Sequence, residues 1–380
     1  MSNFIPSLQA LAKGTAATAA GLSTVGFGLL YYGQNYLIYP SAFPPGSRTD
    51  VPTPDQYGLD PYDDLELTAQ DGVKLRCYLL VQSKVLPQAE APRVPVDDGL
   101  TDAEVTLPFA FPSIQLFAAT RPTIIMFHGN GGNLGHRIPL ARVFYCKMRC
   151  NVLMMCYRGY GLSEGSPSEK GIKMDAQAGL DYITSHPALS KTPIILYGQS
   201  IGGAVSIDLA SRNPLAIRAL ILENTFLSLP RLVPSALPVL GPFAFLCHQK
   251  WDSASKVPLI PRKTPILMLS GVNDEVVPRE HMQDLWELVQ HRGAGAPAGT
   301  GSNKTASESE EIPGMESIRS QMGMVDPLPS VKVAVEDVRT QSKFIEFENG
   351  THNDTCVQPG YWSAIAEFIA SLNSNRTARY

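Results

Sequence analysis

The chain has 380 residues, 44% hydrophobic and 17% charged, with a formal net charge of −4 at pH 7. That apolar share excludes a wholly disordered chain, and the lack of a basic surplus argues against nucleic acid, whose binders replace counterions around phosphates. Six cysteines (Cys77, Cys146, Cys150, Cys156, Cys247 and Cys356) are scattered without a CxxC pair or a histidine at zinc-finger spacing. They read as small buried hydrophobes with free thiols, and neither a metal nor an organic cofactor is expected.

From Gly14 to Ser47 there is no Asp, Glu, Lys, Arg or His. This stretch is long enough to approach the ~20 residues that cross a bilayer, so residues 14–39 read as a single-pass transmembrane anchor. Tyr31, Tyr32, Tyr36 and Tyr39 cluster at its far end, where amphipathic rings suit the headgroup layer. A cleaved signal or a membrane-lying helix remains open because Ala, Gly and Thr are frequent. Lys13 on the near flank favours a cytosolic N-terminus.

The alternation in DDLELTAQDGVKLRCYLL predicts two short strands joined at Asp71-Gly72. Residues 84–120, with five prolines and five acidic residues, read as an irregular insertion. Apolar runs at 123–129, 151–159, 193–200, 220–225, 265–271 and 343–347 then alternate with predicted helices at 133–149, 168–186, 201–212, 279–291 and 360–372. Such alternation implies parallel strands buried on both faces and joined by crossovers: a mostly parallel, doubly wound α/β sheet with antiparallel N-terminal strands. The rhythm breaks twice. Residues 226–263 carry six prolines among apolar residues and read as a lid, and the Gly, Ser and Glu-rich tract 292–342 is expected to stay outside the core.

Gly198-Gln199-Ser200-Ile201-Gly202 is a GxSxG between a predicted strand and a helix, the setting a nucleophile elbow requires. A serine hydroxyl needs a base. Of seven histidines, His352 alone follows the last strand, as the order Ser, acid, His demands. The acid should follow the run PILMLSG, where Asp274 and Glu275 are adjacent. Asp274 is preferred because Glu-Val-Val-Pro continues it in the usual D-x-x-[VI]-P manner; Glu223 is an alternative. Removing the 51 residues of 292–342 from the 78 positions between Asp274 and His352 leaves 27, enough for one helix, one strand and two loops. The backbone N–H groups of Ile201 and Asn130, the latter in His128-Gly129-Asn130-Gly131-Gly132-Asn133, are the expected oxyanion donors. That loop lacks the lysine and hydroxyl of a phosphate loop. His128 is expected to brace it, and Tyr157-Arg158-Gly159-Tyr160-Gly161 to pack nearby.

With HGNGGN, YRGYG, GQSIGG, ENTF, NDEVVP and GTHNDT in this order, the chain resembles the α/β-hydrolase superfamily, and within it the fungal bud-emergence-type membrane hydrolases and animal alpha/beta hydrolase domain-containing protein 13. The resemblance covers residues 20–375 apart from the insertions. It implies an α/β-hydrolase domain over 60–375, a single-pass membrane enzyme with its triad on Ser200, Asp274 and His352, and relatives acting on palmitoylated proteins or lipids. Gly131 stands where such relatives often carry Ala.

A triad of this kind serves esters, thioesters and amides. The apolar lid and the anchor favour a fatty-acyl ester or thioester, either a lipid or a palmitoylated protein, at the endoplasmic reticulum or plasma membrane. The competing reading is a catalytically silent scaffold in cell polarity or membrane organisation. The sequons at Asn349 and Asn353 straddle His352, where a glycan would crowd the site.

Overall fold

In the computed structural model, which describes residues 8–84, 116–292, 332–337 and 341–377, the alternating stretch forms a hairpin of β1 (Asp63–Thr68) and β2 (Lys74–Leu80). Asp71-Gly72 sits in its turn, where the N–H of Gly72 donates to the carbonyl of Ala69 at 2.9 Å. The apolar runs become β3 (Thr123–Phe127), β4 (Asn151–Met155), β5 (Ile194–Gln199), β6 (Ile217–Glu223) and β7 (Ile266–Gly271). These strands are almost wholly buried, because helices cover both faces of the parallel region.

Two further strands complete the sheet: β8 (Lys332–Asp337) and β9 (Ser342–Phe347). The nine-stranded order is β1-β2-β4-β3-β5-β6-β7-β9-β8. Strands β3 to β7 and β9 run parallel, β1 and β2 are antiparallel at one side, and β8 is antiparallel to β9 at the other edge. The tract 292–342, expected to lie outside the core, thus contributes an edge strand. Of the two insertions, 85–115, 293–331 and 338–340 lie outside the described residues.

The single helix expected over 133–149 is instead a 3-10 turn (Leu134–Arg137), a short α-helix (Ile138–Arg142) and a π turn (Val143–Lys147). Pro139 explains the restart: lacking an N–H, it fits only the first turn of a helix. The segment expected to be a lid begins as a helix (Leu229–Ala236) capped by Ser228, followed by a 3-10 segment (Pro238–Leu246) with no buried residue.

The transmembrane expectation for 14–39 is corrected. No helix among the described residues is long and apolar enough to cross a membrane. Helix α1 (Leu8–Tyr32) has 25 residues, about 38 Å at 1.5 Å each, but its Ala, Gly, Thr and Ser dilute the apolar content. The chain then bends at Gly33, where a Cβ would stand 2.6 Å from the Leu29 carbonyl oxygen. Helix α2 (Gln34–Ile38) follows, with Gln34 buried against the lid.

Candidate active site

Strand β5 delivers the chain to Ser200, and the helix Ile201–Arg212 leaves from it. Ser200 has φ 54° and ψ −120°, a conformation that costs roughly 1–3 kcal/mol for a non-glycine residue. Its surroundings hold it there. The Ser200 N–H donates to the Glu223 carbonyl at 2.8 Å, and the Ser200 carbonyl accepts from Gly203 N–H at 2.9 Å and Thr225 Oγ1 at 2.8 Å. A Cβ at Gly198 would stand 2.2 Å from the Gly202 carbonyl oxygen, and one at Gly202 would stand 2.1 Å from that of Phe127. The flanking glycines are therefore required by close backbone approach.

The loop after β9 brings His352 to the same edge. Its Nε2 lies 3.1 Å from Ser200 Oγ, and its Nδ1 lies 2.8 and 3.0 Å from the two carboxylate oxygens of Asp274. Paired with the carboxylate, Nδ1 carries the proton and donates, leaving Nε2 to accept from the serine. Asp274 Oδ1 also accepts from the N–H groups of Val276 and Val277 at 2.9 and 2.8 Å. Adjacent Glu275 takes a different part, its Oε2 accepting the backbone N–H of His352 at 3.2 Å.

Glu223, the alternative acid, faces two phenols: Tyr197 and Tyr361 each donate to its Oε2 at 2.6 Å. Full burial raises its pKa above the ordinary carboxylate value, against the lowering effect of the two phenols. The imidazole of His352 is served by Asp274.

The HGNGGN loop lines the same cleft as His352. Tyr160 Oη donates to the Asn130 carbonyl and side-chain oxygens (3.1 and 2.9 Å), and Asn130 Nδ2 donates to the Ile38 carbonyl. The segment after α2 is tied in further. Gly132 N–H donates to the Phe43 carbonyl at 2.8 Å, and Asn133 Nδ2 donates to those of Ser47 and Asp50 at 3.0 and 2.9 Å. His128 is buried, with Nδ1 2.7 Å from the Gly129 carbonyl, and burial lowers its pKa to about 3. Its own carbonyl accepts from Tyr157 Oη at 2.9 Å. Ile201 is the first residue of its helix, where the N–H has no intrahelical acceptor. Ile201 and Asn130 both line the cleft beside Ser200.

That cleft encloses about 590 Å³. Apart from Ser200, His352, Gln199, Arg137 and the HGNGGN loop, its walls are chiefly apolar: Phe226, Leu229, Leu232 and Val233 on one side, and Leu37, Ile38 and Phe43 from the N-terminal segment. Asn353 lines it as well. Among the described residues no group of three His, Cys, Asp or Glu side chains is placed to hold a metal ion.

Sequence reasoning missed several positioning residues. Asn224, at φ 45°, donates through Nδ2 to the carbonyls of Thr351 and His352 and to Thr355 Oγ1, and accepts the Gly271 N–H at 2.8 Å. Gln199 Nε2 also donates to the His352 carbonyl, at 3.2 Å. The one available signal was an Asn after a strand, a residue type enriched at positive φ. His281 is buried as well, its Nδ1 accepting the Leu227 N–H at 3.3 Å.

A strand, sharp turn and helix carrying the serine, with an acid after β7 and a histidine after β9, define the alpha/beta hydrolase class. A family profile described as alpha/beta hydrolase fold matches residues 122–244. Protein bem46 of Schizosaccharomyces pombe is 38% identical over 96% of this chain and 95% of its own length. The uncharacterized membrane protein YNL320W of Saccharomyces cerevisiae is 32% identical over 92% and 93%. The alpha/beta hydrolase domain-containing protein WAV2 of Arabidopsis thaliana is 34% identical over 92% and 91%. The chain belongs to the alpha/beta hydrolase superfamily, in the family that holds these three proteins. Among solved structures, an esterase of Pyrococcus furiosus shares the fold at a TM-score of 0.54 and 17% identity, covering 86% of this chain and 96% of its own.

Proposed function

We propose that this protein is a serine hydrolase that cleaves a fatty-acyl ester or thioester through an acyl-serine intermediate. The supporting observation is the hydrogen-bonded series Ser200, His352, Asp274, of which Ser200 and His352 line a largely apolar cleft. Ser200 Oγ attacks the acyl carbon while its proton passes to His352 Nε2. Asp274 holds the ring orientation and stabilises the imidazolium without taking the proton. Charge on the acyl oxygen is met by the N–H groups of Ile201 and Asn130. The imidazolium returns its proton to the departing alcohol or thiol, and water, activated by the same imidazole, releases the carboxylic acid and restores the serine.

We also propose that the protein works at a membrane surface, through α1 and the lid. Leu22, Val25 and Leu29 of α1 and Val239 and Phe245 of the lid are 60–86% exposed. Phe27 meets Phe243 edge to face at 5.6 Å, joining the two elements. An apolar surface of this kind suits a helix lying in the headgroup layer, and the yeast relative is named a membrane protein. The experiment for the chemistry follows release of nitrophenol from an acyl ester and of thiol from an acyl thioester. Wild type should turn over at least one of them and Ser200→Ala neither; equal rates for the two proteins would refute the serine mechanism.

A further inference from the structure

A second apolar space lies beside the cleft at Ser200. This narrower cavity of about 60 Å³ shares four lining side chains with the cleft: Leu37, Ile38, Val233 and Leu237. It adjoins the first across these side chains and reaches Leu30 and Phe243. Among the described residues no Asp, Glu, Lys, Arg or His lines this second cavity, so an uncharged chain gains from entering it and a charged one loses its hydration.

The two walls come from distant parts of the sequence and are held apart by polar clamps. Gln34 spans them: its Nε2 donates to the Leu246 carbonyl at 3.3 Å, and its Oε1 accepts the N–H groups of His248 and Gln249 at 2.9 and 3.3 Å. Tyr39 Oη donates to Gln249 Oε1 at 3.0 Å and accepts from Trp251 Nε1 at 2.9 Å. With the N-terminal segment fixed to the lid on one side and to the oxyanion loop on the other, the width of the groove is set by the fold.

We propose that the groove between the N-terminal helices and the lid is the acyl-chain subsite, so that the preferred substrate carries a long unbranched acyl chain. Its carbonyl lies at Ser200 and the chain passes between Leu37 and Val233 towards Leu30 and Phe243. This assignment rests on the reading of Ser200 as the nucleophile. It gives the N-terminal segment a part in substrate selection in addition to any part in membrane binding.

The test uses the full chain in detergent, with p-nitrophenyl butyrate and p-nitrophenyl palmitate as probes. Leu240→Trp narrows the groove from the lid and Leu37→Trp narrows it from the facing wall, with folding checked by circular dichroism. Phe243→Trp replaces whichever variant does not fold. The palmitate-to-butyrate ratio of kcat/KM should fall at least about tenfold in both, the scale on which a hydrophobic pocket discriminates chain size. Ratios within about twofold of wild type would overturn the subsite while leaving the serine mechanism standing. If wild type hydrolyses neither ester and Ser200 resists a fluorophosphonate, the serine reading itself fails and the subsite with it.

Discussion

Glu223 and Asn224 follow one another at the end of β6 and point to different tasks. Glu223 lies in the core between two phenols, while Asn224 reaches across to the loop that carries His352. Asp274→Asn should therefore lower turnover at least about a thousandfold, because the imidazole loses the partner that fixes its tautomer. Glu223→Gln, which still offers an oxygen to both phenols, should keep turnover near wild type. Comparable losses in the two variants, measured as kcat/KM on one ester, would reassign the acid. Glu223 also predicts a pH effect. Burial raises its folded pKa, so above the unfolded value of about 4.3 the unfolded chain gives up a proton that the folded one keeps. That contribution to stability is full below the unfolded value and is lost as pH rises through the folded value. Thermal midpoints measured from acid to neutral pH should show wild type losing stability relative to Glu223→Gln. Asn224→Ala should lower kcat about 10–100-fold with little change in KM, since it moves the histidine loop without touching the cleft. A change confined to KM would contradict this role.

Among the elements, the hairpin of β1 and β2 is welded to the helix Glu169–Ser185 by one arginine. Arg158 Nε and its backbone N–H donate to Asp175, both at 2.9 Å, and its Nη1 and Nη2 donate to Asp71 at 2.6 and 2.9 Å. The Asp175 side chain is fully buried, so Arg158→Ala strands a carboxylate in the core. A loss of about 3–5 kcal/mol in unfolding free energy is expected, read from urea midpoints, with the serine geometry intact. The packing role expected for Tyr157-Arg158-Gly159-Tyr160-Gly161 is visible here and in the grip of Tyr160 on Asn130. The elbow was legible because GxSxG fell between a β-type and a helix-type pattern. Asp274 was legible through D-x-x-[VI]-P, and the reason is now physical: the carboxylate caps the N–H groups of Val276 and Val277. Other features left no such trace. The edge strand β8 lies in a polar tract whose composition hides a six-residue run, and the helix 133–149 looked continuous because periodicity outweighed Pro139. The clamp of Asn130, Gly132 and Asn133 on the N-terminal segment uses backbone carbonyls, which every residue carries.

At the scale of the whole molecule, the N-terminal segment binds the site, the lid and the exposed apolar surface together. Residue count made 14–39 resemble a spanning helix, but α1 is too dilute in apolar residues, and the chain turns into the cleft wall after Gly33. A chain beginning at Gln34 should lose binding to phospholipid vesicles in flotation yet retain a reactive serine. One beginning at Val51 should lose both, because Ile38, Phe43, Ser47 and Asp50 no longer hold the HGNGGN loop. Vesicle binding undiminished in the first would remove α1 from the membrane contact. The most direct measurement for the central claim is fluorophosphonate labelling of the full chain, followed by peptide mapping. The account predicts a single adduct on Ser200, absent in Ser200→Ala and strongly slowed in folded His352→Ala; a folded wild type that takes no label, or takes it elsewhere, would contradict it.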